Sequence, residues 1–162
     1  MRVSVAATIP MLADLRRTGL LRVSQGTAFS VTPALREWYL EGDAEELEYA
    51  ALAEAARASL GLLAADPSAP PQRAVVAVDA AEAVPDATHG RAGVQLAETV
   101  RIGQVASVHV DAADAEATVR AAIGAYAAAQ MGDAEAAIVV EDTEGFELLW
   151  YATQELPDLL PS

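Results

Sequence analysis

Lysine and cysteine are both missing from this chain of 162 residues, so its ten basic residues are all arginine. Without lysine there is no Schiff-base amine, no phosphate-loop lysine and no kinase-type lysine to pair with a nucleotide. Without cysteine there is no disulfide, no thiolate nucleophile and no Cys-ligated zinc, a composition that suits a reducing compartment. Histidine occurs only at positions 89 and 109, so any catalytic dyad or triad that uses an imidazole must be built on one of those two. The G-x-G-x-x-G, G-x-S-x-G, H-E-x-x-H and EF-hand patterns do not occur. Aromatic residues make up 5% of the chain, and no apolar run reaches the length of a membrane span. The opening "MRVSVAATIPMLAD" carries one arginine and is broken by Pro10 and Asp14, unlike a secretory leader. A cytoplasmic protein is the expectation.

What the chain does contain is acid and alanine. Twenty-four acidic residues give a formal net charge of −14. Such a molecule repels phosphate backbones and anionic lipid, which leaves neither nucleic acid nor membrane as an expected partner. A homodimer or a basic protein partner fits the charge better. The hydrophobic fraction is 53%, but 38 of those residues are alanine, so each large side chain matters to packing. The length suits one domain over 1–162 with a real core.

Along the chain, "RVSVAA" reads as a strand. Thr8 and Pro10 then open a helix carrying Met11, Leu12 and Leu15, and Gly19 stops it. Beyond a connection containing "SQGTAFSV", Thr32-Pro33 caps a short helix with Leu35, Trp38 and Tyr39 on one side. Asp43 and Glu46 open the strongest helix, which bears two apolar stripes: Tyr49, Leu52, Ala53, Ala56, Leu60, Leu63, and beside it Leu47, Ala51, Ala55, Ala58, Leu62. "RAVVAVDA" (73–80) is a buried-type strand, 81–93 a surface loop, and "GVQLAE" a short extra strand. "VASVHV" (105–110) alternates Val108 and Val110 against Ser107 and His109. Asp111 or Asp114 is expected to cap the next helix, which ends at Gly132. "AAIVVED" and "FELLWYA" read as a hairpin, although Phe146, Leu149, Trp150 and Thr153 also match a helical spacing. A strand over 147–152 is favoured. The order β, helices, β, β, α, β predicts an α+β fold of the ferredoxin-like, split βαβ type. It would be an antiparallel sheet with helices on one face and an enlarged helical first crossover.

Candidate sites each have a plain alternative. His109 and Asp111 would form an oriented acid–base pair; otherwise they are a hydrogen-bonded strand histidine and a helix cap. His89 in "DATHGRAG" lacks converging metal ligands, and "EDTEGFE" (141–147) lacks the ligand order of a calcium loop. Arg36, Trp38 and Tyr39, rimmed by acids, have interface hot-spot composition, or else seal their helix against the sheet. In a strand, Trp150 and Tyr151 point opposite ways, so one completes the core and the other lies on an open sheet face. Glu155 follows close behind them.

The strings "AATIPML", "VTPALREWYLEGDAEELEYAALAEAARASLGLLAAD" and "ELLWYATQELPDLL" resemble a family of actinobacterial proteins of about this length, known as a domain of unknown function. The likeness spans nearly the whole chain and is weakest over 81–100. It implies an actinobacterial cytoplasmic protein, and it assigns no residue a role.

The missing chemistry favours a non-enzymatic interaction or regulatory domain that self-associates and needs no cofactor or metal. The second reading is a small-molecule-binding domain or minor enzyme on the open sheet face, with His109, Asp111, Tyr151, Arg36 and Glu155 as its polar groups. Mimicry of nucleic acid by the acidic surface is a third.

Overall fold

A computed structural model of the chain describes residues 1–161. In chain order the elements are β1 (Arg2–Ala7), α1 (Ile9–Thr18), β2 (Leu20–Arg22), β3 (Thr27–Phe29), α2 (Pro33–Trp38), α3 (Ala44–Ala65), β4 (Ala74–Asp79), β5 (Val84–Pro85), β6 (Gly93–Gln95), β7 (Thr99–Arg101), β8 (Val105–Asp111), α4 (Glu116–Gln130), α5 (Ala134–Glu141), β9 (Leu148–Ala152) and α6 (Leu156–Leu159). Seven strands form one antiparallel sheet in the order β5-β6-β3-β1-β4-β8-β9, and β2 pairs with β7 separately. No helix among the described residues is long and apolar enough to cross a membrane.

The α+β class holds, but the pairing does not reproduce the ferredoxin-like split. A split βαβ unit joins parallel strands, whereas β1, β4, β8 and β9 are successive antiparallel neighbours. Each long insertion returns the chain to the sheet edge it left. Ala7 lies opposite Ala74, where β4 begins, and Asp111 lies opposite Leu148, where β9 begins. β1, β4, β8 and β9 therefore run as an antiparallel series, with helices inserted between β1 and β4 and between β8 and β9, and β5, β6 and β7 between β4 and β8. The physical cause is clear at α5. "AAIVV" is not a hairpin arm but a helix, started by the Asp133 side chain accepting from the Ala136 N–H at 3.0 Å. Two helical passes, α4 out and α5 back, restore the starting edge, where one pass would have reached the opposite edge.

Nor do the helices share one face. Alternation in β1, β4 and β8 sends Val3, Val5, Val76, Val78, Val108 and Val110 to a first face, where they bury against Ile9, Leu12 and Leu15 of α1 and Leu156 of α6. The other face carries Phe29 and Val75 and packs on Leu47, Ala51, Ala55 and Ala56 of α3. Beyond the sheet, Leu60 and Leu63 of α3 meet Val119, Ala122 and Val140 of α4 and α5. Buried Ser59 ties α3 to the sheet: its hydroxyl donates to the Ala7 carbonyl at 2.7 Å and accepts from the Ala74 N–H at 3.1 Å. Caps at Thr8, Thr32 and Asp43 start α1, α2 and α3 as their sequences predict. Asp111 and Asp114 cap nothing, because α4 follows a 3-10 turn over Ala113–Ala115. The stretch read as a connection after Gly19 contains β2 and β3, three residues each.

Candidate functional site

Side chains of the α3-facing side of the sheet are small where α3 begins. Ser4 of β1, Ala77 of β4 and Ser107 of β8 stand where the opposite face carries valine. The first turns of α3 bury only Leu47 and Ala51, while its second half is firmly seated. A half-open groove of about 330 Å³ results. Its floor is Ser4, Ala77, Ser107 and His109, with Trp150 of the edge strand β9 at one end and Ser30 and Val31 at the other. Glu45, Glu48, Tyr49 and Leu52 of α3 overhang it, and Arg2 lies at its rim. A β-bulge between Ala77 and Val78 lets Val78 pair with Val105 while Ala77 pairs with Ser107, beside the floor.

His109 is half-buried, and Ser107 Oγ lies 3.1 Å from its Nε2. Burial pushes the imidazole below its ordinary value, so the neutral ring is favoured. Serine beside histidine is the start of a nucleophile–base pair. However, Asp111, two residues along the same strand, does not orient the ring. Its carboxylate accepts from Arg73 Nε at 2.8 Å, from a second guanidinium nitrogen at 2.7 Å and from the Arg73 backbone N–H at 2.8 Å. Both side chains of that pair are buried, and Arg73 also donates to the Phe146 carbonyl at 2.9 Å. Asp111 is thus a structural anchor between β4, β8 and the turn before β9. At the groove rim Arg2 donates to Asp79 at 2.7 Å. That hydrogen bond holds the exposed Asp79 carboxyl below the usual carboxylate range.

Of the residues singled out in the sequence, His109 and Trp150 come together, as cross-strand partners in the groove. Trp150 is 62% exposed. Tyr151 packs on the valine-rich core instead, and Glu155 accepts from the Ala152 N–H at 2.7 Å outside the groove. Arg36, Trp38 and Tyr39 belong to α2 and its end. Trp38 and Tyr39 do not seal that helix, since Leu35 is its buried residue; Trp38 is 60% exposed and lies under the Arg91 guanidinium, 3.6 Å from ring centroid to cation. Only His109 among the five polar groups expected to converge therefore lines the groove. His89 sits 3.3 Å from the Thr27 hydroxyl, away from it. Among the described residues no three His, Asp or Glu side chains are placed to share a metal ion.

Arg2, Ser4, Glu45 and Glu48 are groove residues that pattern reading does not single out as site residues, and Tyr49 and Ser107, read there as a helix stripe and a strand face, line the groove with them. Two signals mark them. The strands alternate valine with serine or alanine, and Glu45, Glu48, Tyr49 and Leu52 recur at i, i+3, i+4, i+7, one helix face, here the exposed one beside the buried Leu47, Ala51 and Ala55. A larger hollow on the outside of α4 is lined only by Glu116, Ala117, Arg120 and Ala121 of that one helix, and its charges already pair as Arg120–Glu116.

The chain is an α+β protein with a cleft of about 330 Å³ between one helix and an antiparallel sheet. Residues 1–160 match the family of unknown function DUF6912, and the chain belongs to that family. No curated protein and no solved structure matches the chain.

Proposed function

We propose that the protein is a small-molecule-binding domain whose site is the groove between α3 and the sheet. The observation that supports this most is the convergence of Ser4, Ser107, His109, Trp150, Tyr49 and Glu48 from four separate elements on one concavity. Its volume of about 330 Å³ lies at the lower end of the range for small-molecule sites, roughly 300–1,000 Å³. Aromatic walls with a few polar groups are the usual composition of such sites. A fragment screen on the full chain, read by amide NMR, tests the reading. Shifts clustered on Ser4, Ala77, Ser107 and His109 are the expected result; hits scattered over other surfaces, or none, would overturn it.

A second reading, self-association, draws on a different feature. The strand β9 forms one edge of the sheet, and Leu149 there is 45% exposed beside Trp150. An exposed apolar edge is a template for pairing with another copy. Sedimentation over a range of concentrations would then show a dimer that Leu149→Lys abolishes. A strict monomer at high concentration would sink this second reading and leave the first untouched.

A further inference from the structure

Resting on the groove as a ligand site, we infer that its ligand is a small organic cation, an amine or related ammonium carried on an apolar body. Three observations on the groove walls lead there.

Charge comes first. Glu45 and Glu48 overhang the cleft. Among the described residues the ion pairs are Arg2–Asp79, Arg17–Asp14, Arg73–Asp111 and Arg120–Glu116, so neither glutamate is neutralised. Arg2, the one groove cation of fixed charge, is committed to Asp79. The cleft therefore carries unbalanced negative charge, within a molecule whose net charge is −14.

Position comes second. Glu45 lies in the first turn of α3, where the helix dipole favours an acid whatever the groove contains. Glu48 follows one turn later, exposed at the mouth of the cleft. It stands three residues from Glu45 on the same face, and like charges so spaced repel each other. The stripe that α3 buries against the sheet is Leu47, Ala51 and Ala55, and Glu45, Glu48, Tyr49 and Leu52 run beside it along the open side of the cleft. That flanking row is acidic at the mouth of the cleft, and a bound cation would relieve the repulsion.

The third observation is aromatic. Tyr49 and Trp150 line the same cleft from the helix and from the sheet. Aromatic faces attract ammonium and guanidinium groups, tryptophan most strongly. The floor of Ser4, Ala77 and Ser107 leaves room for the apolar body, with serine hydroxyls to accept or donate.

The test uses the full chain with Trp38→Phe, which leaves Trp150 as the sole tryptophan. Trp150 emission is followed during titration with 2-phenylethylamine, 3-phenylpropionate and 2-phenylethanol, three probes of similar size and different charge. The expected result is saturable change with the amine, weakened about tenfold by Glu45→Gln with Glu48→Gln and weakened also by salt. If the alcohol or the carboxylate binds as well as the amine, the cation inference falls while the groove remains a ligand site. If none of the three binds, both readings fall. An arginine-rich peptide serves as a competitor. Should it bind far more tightly than the amine and depend on the same glutamates, the cation belongs to a protein side chain and the small-molecule assignment is overturned.

Discussion

Asp111 illustrates how a residue's partner, and not its neighbours in sequence, decides its work. It shares a strand face with His109, and that parity is legible from "SVHVD". Its partner Arg73 lies 38 positions earlier, and no local pattern joins them. Removing one member of a buried ion pair leaves the other charge uncompensated and costs about 3–5 kcal/mol. Asp111→Ala is therefore expected to lower stability by that amount, read as a fall in urea midpoint with unchanged slope. A loss below about 1 kcal/mol, the size of an exposed pair, would show that Arg73 finds another acceptor. His109 supports a prediction of the opposite kind, visible only on titration. Its folded pKa lies below the ordinary value of 6.5 because burial disfavours the imidazolium. Well above pH 6.5 both states are neutral at this residue, so it adds no pH dependence there. As pH falls through that value the unfolded chain takes up a proton that the folded chain resists, and stability drops. His109→Gln should lose less stability than wild type between about pH 7.5 and about pH 5.5. Parallel curves for the two proteins would contradict the assignment. Trp150 and Tyr151 show what alternation does settle: a strand must separate them, and it sends Tyr151 to the core and Trp150 to the groove. Which of the two faced inward was not legible, because that depends on which sheet face the valines of β8 occupy.

Among the elements, α1, α2 and α3 were readable from their side-chain caps, whereas the cap that Asp133 gives α5 was passed over. Thr8, Thr32 and Asp43 fix the starts of α1, α2 and α3 through local hydrogen bonds of 3.4, 3.1 and 2.8 Å. β-Propensity was the weaker signal. It favoured a strand at "AAIVV", where Asp133 and the alanines produce α5, and it passed over β2 and β3, which pair with β7 and β6 more than sixty residues away, β3 also meeting β1. The turn into β3 depends on a glycine for a specific reason. Gly26 has φ of +71°, directly after Gln25 at +55°. A Cβ at position 26 would stand 2.5 Å from the Leu96 carbonyl oxygen, which is backbone and cannot swing aside. The Gly26 carbonyl also accepts from the Leu96 N–H at 2.7 Å, and the Gly26 N–H donates to the Val23 carbonyl at 2.9 Å. Gly26→Ala combines left-handed strain of roughly 1–2 kcal/mol with that displacement, so a loss of at least about 2 kcal/mol is expected in denaturant unfolding. Amide exchange should localise the damage to β3 and β6. A neutral effect would mean that this turn relaxes to a different backbone conformation at little cost.

For the whole molecule the governing quantity is charge. At −14 over 162 residues, the folded chain confines carboxylates that repel one another, and compactness itself is opposed by their field. Three of the four ion pairs among the described residues are exposed and contribute little to offset it. Added salt shortens the Debye length from about 30 Å at 0.01 M to about 8 Å at 0.15 M, which screens repulsion across the surface. Thermal stability is therefore expected to rise with sodium chloride over that interval. The same screening acts on the groove with the reverse sign, because there the field of Glu45 and Glu48 attracts a cation. A protein that grows more stable with salt while binding 2-phenylethylamine more weakly would match both expectations at once. The Glu45→Gln, Glu48→Gln protein separates them: it should keep most of the salt-dependent gain in melting temperature, since 22 acidic residues of 24 remain, yet lose most of the salt dependence of binding. If the binding slope persists in that variant, the amine is being held by the diffuse surface field and not by the two glutamates, and the groove's charge has no role in recognition.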